Sequence, residues 1–163
     1  MYKSMSFVLV WVISFASATS AQEIYTQKID KVGVLSIYVE TFEAKDHKLI
    51  YCGDYICVID GRPFFGSDGG IPGKKISKII FDFNNTRVNL NIESMYEPGL
   101  TKENIHDKIR VQHYWGDFYK VLGRFSDGSG GYISQWIVSK HGSVRTHLSN
   151  GEMLFDLNAT IFK

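Results

Sequence analysis

The sequence has few cysteines, little proline and almost no net charge. Its 163 residues include two cysteines and three prolines, with 18 lysines and arginines against 17 aspartates and glutamates. A balanced charge gives no support to nucleic-acid binding through bulk electrostatics. The composition, 44% hydrophobic and 21% charged, excludes a disordered or collagen-like chain. The length indicates one domain that can bury a core of its own.

Motifs of known catalytic chemistry are also missing. The run Asp127-Gly-Ser-Gly-Gly131 does not have the Gly-Asp-Ser-Gly-Gly order of trypsin-like proteases, and there is no Gly-x-Ser-x-Gly elbow. The loop at 66–70 lacks the Lys-Ser/Thr ending of a phosphate-binding loop. A calcium loop starting at Asp127 fails because Val138 stands where the twelfth-position acid belongs. We therefore predict that the protein is not an enzyme and binds no cofactor or metal. A hydrolase remains an alternative, because two carboxylates could converge in space without any motif in the sequence.

Only one long apolar run is present, from Phe7 to Phe15. It follows Lys3 and precedes small residues that end at Ala21, which is the pattern of a cleaved secretory signal. The run is shorter than the roughly 20 residues of a membrane-spanning helix. We therefore predict a signal peptide over 1–21, a single β domain over 22–163, a periplasmic or secreted location, and no membrane span after cleavage.

The two cysteines, Cys52 and Cys57, bracket four residues. An even number of cysteines in an oxidising compartment suggests a bridge. In a hairpin with a four-residue loop the two would face each other at a distance that suits a disulfide. A redox pair usually has two intervening residues at the start of a helix, so a structural bridge is favoured.

Alternation with a period of two dominates the rest of the chain. It is clear in Leu35-Ile37-Val39, Ile79-Phe81-Phe83 and Ile109-Val111-His113, and it returns near the end from Met153 to Ile161. Turn residues separate these runs at Asn84-Asn85, Gly116-Asp117, His141-Gly142 and Asn150-Gly151. Only residues 101–107 suggest a helix. The pattern predicts an all-β fold, a single antiparallel β-sandwich or β-barrel with one short helix.

Two glycine-rich loops interrupt the strands, at 61–73 and 126–131. Long loops on a rigid sheet are frequent sites of function. The first carries Phe64, Phe65 and Asp68, which we treat as a secondary loop site. The second is followed by a hairpin that carries tyrosine, arginine and histidine, and it is interpreted either as a plain hairpin loop or as a recognition loop.

The run Gly128-Ser-Gly-Gly-Tyr132, followed by Trp136 and Lys140-x-Gly142, resembles the signature motifs of periplasmic lysozyme inhibitors of the C-type and membrane-bound group. That resemblance implies a small exported β-barrel whose Ser-Gly-x-x-Tyr loop enters the lysozyme cleft. Ser129 would contact the catalytic acids and Tyr132 would be the motif tyrosine. The chain departs from the family in its shorter motif spacing, its greater length and a half-present second motif.

An exported, neutral β domain without a catalytic motif is also similar, as a class, to periplasmic immunity proteins that neutralise cell-wall-attacking effectors. We therefore predict a binding protein that inhibits a cell-wall-degrading enzyme. The expected partner-binding residues are Asp127, Ser129, Gly130, Tyr132, Arg145 and His147. The alternatives are a small ligand-binding barrel, with Phe64 and Phe65 at the mouth of its pocket, and an envelope hydrolase.

Overall fold

The computed structural model describes residues 22–150, and strands dominate it. This confirms the predicted all-β class. The expected signal peptide at 1–21 and the alternating run from 153 to 161 lie outside the described residues. In chain order the strands within the described range are β1 (Glu23–Ile29), β2 (Gly33–Thr41), β3 (Leu49–Cys52), β4 (Tyr55–Ile59), β5 (Lys74–Phe83), β6 (Thr86–Asn89), β7 (Ile109–Trp115), β8 (Phe118–Phe125), β9 (Tyr132–Ser139) and β10 (Gly142–Ser149).

The strands form two four-stranded antiparallel sheets and one separate hairpin. The first sheet has the order β1-β2-β5-β6, the second has the order β10-β9-β8-β7, and β3 pairs with β4. The two larger sheets share one hydrophobic core, which makes the fold a sandwich, and they do not close into a barrel. The two sheets pack face to face because period-two alternation gives each strand one apolar face that must be covered.

The core lies between the inner faces of the two sheets. Leu35 pairs with Phe81 and Ile37 pairs with Ile79 across β2 and β5, and all four side chains are buried. The second sheet contributes a set of equally buried side chains: Val121, Phe125, Tyr132, Trp136 and Val138. The alternation in the sequence therefore identified the inward positions of β2 and β5 correctly.

Tight turns collect at one end of the sandwich and long loops at the other. The turns after β1, β5, β7 and β9 form what we call the turn end, where the Phe83 and Tyr119 rings meet at 5.1 Å. Asn84 and Asn85 both have positive φ, 47° and 59°, as the predicted hairpin turn requires. We call the opposite end, built from the loops 61–73, 93–104 and 126–131, the loop end.

The short helix has fewer residues and begins later in the chain than the sequence predicted. It spans Ile105–Lys108, whereas 101–107 was expected. The Thr101 backbone N–H donates to Asn104 Oδ1 over 2.7 Å, and the Asn104 N–H donates to Thr101 Oγ1 over 3.1 Å. These side chains satisfy backbone groups locally and fix a turn before the helix begins. No helix among residues 22–150 is long and apolar enough to cross a bilayer.

Cys52 and Cys57 form the expected disulfide, with their Cα atoms 5.8 Å apart. The expected four-residue loop is wrong, because Cys52 pairs with Tyr55 across a two-residue turn. An irregularity in the register places Ile56 opposite Tyr51 and Val58 opposite Ile50, so that Cys57 is the extra residue of a bulge. The bridge therefore joins diagonal positions of the hairpin.

Candidate functional site

Two glycine-rich loops that are distant in sequence meet at the loop end. The Ser126 hydroxyl donates to the Gly66 carbonyl over 3.0 Å. Gly130 lies against the same residue, since a β-carbon on Gly130 would be 3.0 Å from the Gly66 carbonyl oxygen. An open cleft of about 330 Å³ lies between the loops. The side chains that line it are polar: Ser67, Asp68, Glu97, Ser126 and Asp127.

The second loop is fixed at its base and exposed at its tip. Ser126 has a φ of 59°, which is uncommon for a residue with a side chain, and its N–H donates to the Pro98 carbonyl over 2.9 Å. The chain then forms a 3₁₀ turn over Gly128–Gly130, closed by a 3.1 Å bond from the Gly131 N–H to the Gly128 carbonyl. Gly128 and Ser129 at the tip are exposed.

A buried lysine supports the base of this loop. Lys108, the last residue of the short helix, is only 6% exposed. Its Nζ donates to the carbonyl oxygens of Gly99 and Ser126 over 3.0 and 3.1 Å, and to Asp127 Oδ1 over 3.0 Å. The three ammonium donors therefore all have acceptors, as a buried lysine requires. These bonds connect the loop to the helix, and the Asp127 side chain takes part in them.

The exposed tip contains only part of the expected contact set. Ser129 is exposed, and the Asp127 side chain is 82% exposed although one of its oxygens binds Lys108. Gly130 is buried against the first loop. Its structural role is to allow the close approach of two backbones, and its burial leaves little of it on the surface for the direct partner contact that the sequence predicted.

Tyr132 lies in the core, and the expectation of a ring at the edge of the loop is wrong. Its side chain is 0% exposed and its ring is stacked on Phe125 at 5.3 Å. The hydroxyl donates to the Tyr96 carbonyl over 3.0 Å, and burial raises the pKa of this phenol well above its usual value. Because alternate residues of β9 share a face, the position of Trp136 in the core could have predicted this placement.

Arg145 and His147 do not form one outward patch. The register shifts between them, so Arg145 pairs with Trp136 and His147 pairs with the adjacent Gln135. The bulge therefore turns the two side chains to opposite faces of the sheet. Arg145 is half-buried, which lowers its pKa, and it donates to the Glu93 carbonyl over 2.6 Å. The Nε2 atom of His147 is buried and has no hydrogen-bond partner among the described residues.

The two phenylalanines of the first loop lie beneath it and not at a pocket mouth. Phe64 meets the Tyr96 ring edge-on at 5.8 Å, and Phe65 lies 6.2 Å from the Tyr132 ring. The Phe65 N–H also donates to the Ser94 carbonyl over 3.0 Å. Asp68 is exposed and lines the cleft. The phenylalanines therefore anchor the loop, and Asp68 is the residue of this secondary set that a partner can reach.

Sequence reasoning missed an apolar surface beside the cleft. Tyr55, 64% exposed, lies against Gly69 of the first loop, and the Ile56 N–H donates to the Gly69 carbonyl over 2.8 Å. The other exposed apolar side chains of this hairpin and loop are Ile50, Tyr51 and Ile71. The sequence carries a signal for this surface, since Tyr51 and Tyr55 lie on either side of the turn of the cysteine-bracketed hairpin.

A second, smaller cleft of about 230 Å³ contains a histidine paired with an aspartate. The Nδ1 atom of His47 lies 2.6 Å from Asp60 Oδ2, and the ring stacks on Phe42 at 4.4 Å. On its other side, Nε2 is 3.5 Å from the ammonium of Lys75. The side-chain partners of this ring among residues 22–150 are therefore a carboxylate and an ammonium.

The pairing with His47 predicts how stability changes in acid. The hydrogen bond from His47, followed by that from the Lys48 backbone, lowers the pKa of Asp60. A carboxyl group with a lowered pKa contributes stability above its unfolded value of about 4, and this is lost as the pH falls through the folded value. We expect the melting temperature of Asp60→Asn to fall less than that of the wild type between pH 5 and pH 3, measured by circular dichroism. Parallel curves would contradict this assignment.

The described residues contain no group of three or more histidine, cysteine, aspartate or glutamate side chains that could hold a metal ion. No family model matches the chain, and no curated protein and no solved structure is significantly similar to it.

Proposed function

We propose that the protein is an exported binding protein that inhibits a cell-wall-degrading enzyme, as an inhibitor or immunity protein does. It would engage the enzyme through the loop end. The observation that carries this proposal is the 3₁₀ turn Gly128–Gly130. Its tip at Gly128 and Ser129 is exposed, and its base is fixed by Lys108 and Ser126. A projecting loop reaches a recessed active site that a flat sheet cannot, and a loop already fixed in shape loses little conformational freedom on binding.

The polar groups of the cleft specify the kind of surface that fits it. Asp68, Glu97 and Asp127 surround the cleft, and Lys108 pairs with only one of them. The excess of negative charge favours a partner with lysine or arginine at the rim of its active site. Ser129 at the tip can donate and accept hydrogen bonds inside the partner's cleft. Association should therefore slow as ionic strength rises.

The apolar surface beside the cleft supplies the remaining contact area. Tyr55 and Ile71 are more than half exposed, and Tyr55 is held against the loop that carries Asp68. Tyrosine is enriched among the residues that dominate binding free energy, and polar groups commonly surround such a centre. The role expected for Tyr132 in direct contact is therefore assigned to Tyr55.

The proposal predicts that Ser129→Trp weakens binding at least about a hundredfold, which corresponds to about 2.7 kcal/mol. The bulky ring would clash inside the partner's cleft, while the exposed position should leave the melting temperature unchanged. An enzyme captured from an envelope extract would be identified by its digestion of peptidoglycan. Its inhibition would then be measured and its affinity titrated calorimetrically.

Thr26→Trp is the matched control, because Thr26 is exposed on β1 and lies outside the loop end. It should bind and inhibit as the wild type does. Equal affinity for Ser129→Trp and the wild type would exclude this loop as the site. If no enzyme is captured and the purified protein itself hydrolyses peptidoglycan, the hydrolase alternative replaces the inhibitor.

A further inference from the structure

Three aromatic side chains are exposed at the turn end, opposite the proposed enzyme-binding site. Tyr114 is 55% exposed, Trp115 is 73% exposed and Phe118 is 37% exposed. Trp115 and Phe118 face each other across the Gly116-Asp117 turn of the β7–β8 hairpin. Their rings are nearly parallel, at 16°, with centroids 6.3 Å apart. A cluster of large exposed apolar groups commonly marks an interaction surface.

Local contacts hold this hairpin tip in shape. The register shifts between His113 and Trp115, so Tyr114 is the extra residue of a bulge. His113 Nε2 lies 2.6 Å from the Gly116 carbonyl oxygen, and the Lys120 ammonium lies 4.9 Å from the centre of the Tyr114 ring. The aromatic rings are therefore displayed on a hairpin tip that its own contacts hold in shape, which suits insertion into a soft layer better than it suits enclosure of a ligand.

Positively charged side chains lie at the same end of the sandwich as these rings. The lysines in or within three residues of the turns at this end are Lys28, Lys31, Lys120 and Lys140. The acids in the corresponding positions are Asp30, Asp82 and Asp117. Arg87 binds Asp82 through two hydrogen bonds, of 2.7 and 3.0 Å, which removes that pair from the balance. Lys140 likewise lies 4.0 Å from Asp117, which leaves Lys28, Lys31 and Lys120 against Asp30.

We propose that the turn end docks on the surface of an anionic phospholipid bilayer. Trp115 and Phe118 would enter the interfacial layer, where tryptophan and tyrosine are preferred, and the lysines would lie near the headgroups. Interfacial binding strengthens with the apolar area inserted and with attraction to anionic lipid. The loop end, at the other end of the strands, would remain free to bind an enzyme. This inference does not depend on the inhibitor proposal.

Vesicle flotation tests the proposal with the full chain. We expect the wild type to float with vesicles of phosphatidylglycerol and phosphatidylethanolamine, and to float less with phosphatidylcholine or in high salt. Trp115→Ser/Phe118→Ser should lower the partition constant at least about tenfold, whereas Asp117→Asn should raise it by removing a repelled charge. The wild type and the variants all contain the same apolar run near the start, so a difference in partition constant between them reports on the hairpin alone.

Tryptophan fluorescence gives an independent readout. The full chain has two other tryptophans, Trp136, which is fully buried, and Trp11 in the apolar run near the start. Only the part of a lipid-induced blue shift that is lost in Trp115→Phe therefore belongs to Trp115. Ile24→Ser is the matched control, since Ile24 is half-exposed on β1, away from the turns, and its flotation should be unchanged. Equal partitioning of the wild type and the double variant overturns the proposal. The proposal is also overturned if the Trp115 shift appears without lipid, either on addition of a soluble glycan or through self-association seen in sedimentation experiments.

Discussion

Replacing Tyr132 with alanine should lower the free energy of unfolding by about 3–5 kcal/mol. The side chain is completely buried, its ring is stacked on Phe125, and Phe65 lies 6.2 Å away on the side of the first loop. Alanine would leave a cavity where the core of the sandwich meets the base of both loops, and it would leave the Tyr96 carbonyl without its 3.0 Å hydrogen bond.

Tyr132→Phe separates these two effects, because it keeps the ring and removes only the hydroxyl. We expect a loss of about 1 kcal/mol for phenylalanine. Urea unfolding followed by circular dichroism measures both variants. A loss below about 1 kcal/mol for Tyr132→Ala would contradict the core position. Any weaker enzyme binding by this variant should be compared with Tyr132→Phe, which retains the loop support and is expected to bind normally.

Replacing Lys108 with alanine should cost about 3 kcal/mol of stability, the second largest effect expected here. The substitution removes a buried aliphatic stem and leaves the carbonyl oxygens of Gly99 and Ser126 without their donor. Asp127 suffers less, because its side chain is mostly exposed and water can replace the lost partner.

Two further variants distinguish the charge of Lys108 from its bulk. Lys108→Met keeps most of the buried stem and should lose about 2 kcal/mol through the missing donors, while Asp127→Asn should lose about 0.5 kcal/mol or less. Lys108→Met should also weaken binding to the captured enzyme, since the loop base would no longer be fixed. Denaturant curves and calorimetric titration measure these effects. Stability equal to the wild type in Lys108→Met would exclude the ammonium as the support of the loop.

The strands and tight turns follow from the sequence because their causes are local. Alternation in Leu35-Ile37-Val39 gives β2 one face to bury, and Asn84 and Asn85 tolerate the positive φ of their turn. The Cys52–Cys57 bridge follows from short spacing in a strand-rich region. Tyr132 belongs to this group in principle, since it continues the inward alternation of Trp136, although the resemblance to inhibitor motifs pointed to a contact role.

The candidate site required the tertiary structure because its parts are joined by long-range contacts. Nothing in the sequence pairs Ser126 with Gly66 or places Lys108 beneath Asp127. The bulge that separates Arg145 from His147 also has no local signal, because one extra residue reverses the faces without changing the pattern of residue types. Period and turn chemistry act over a few residues, whereas loop packing and register depend on which strands become neighbours.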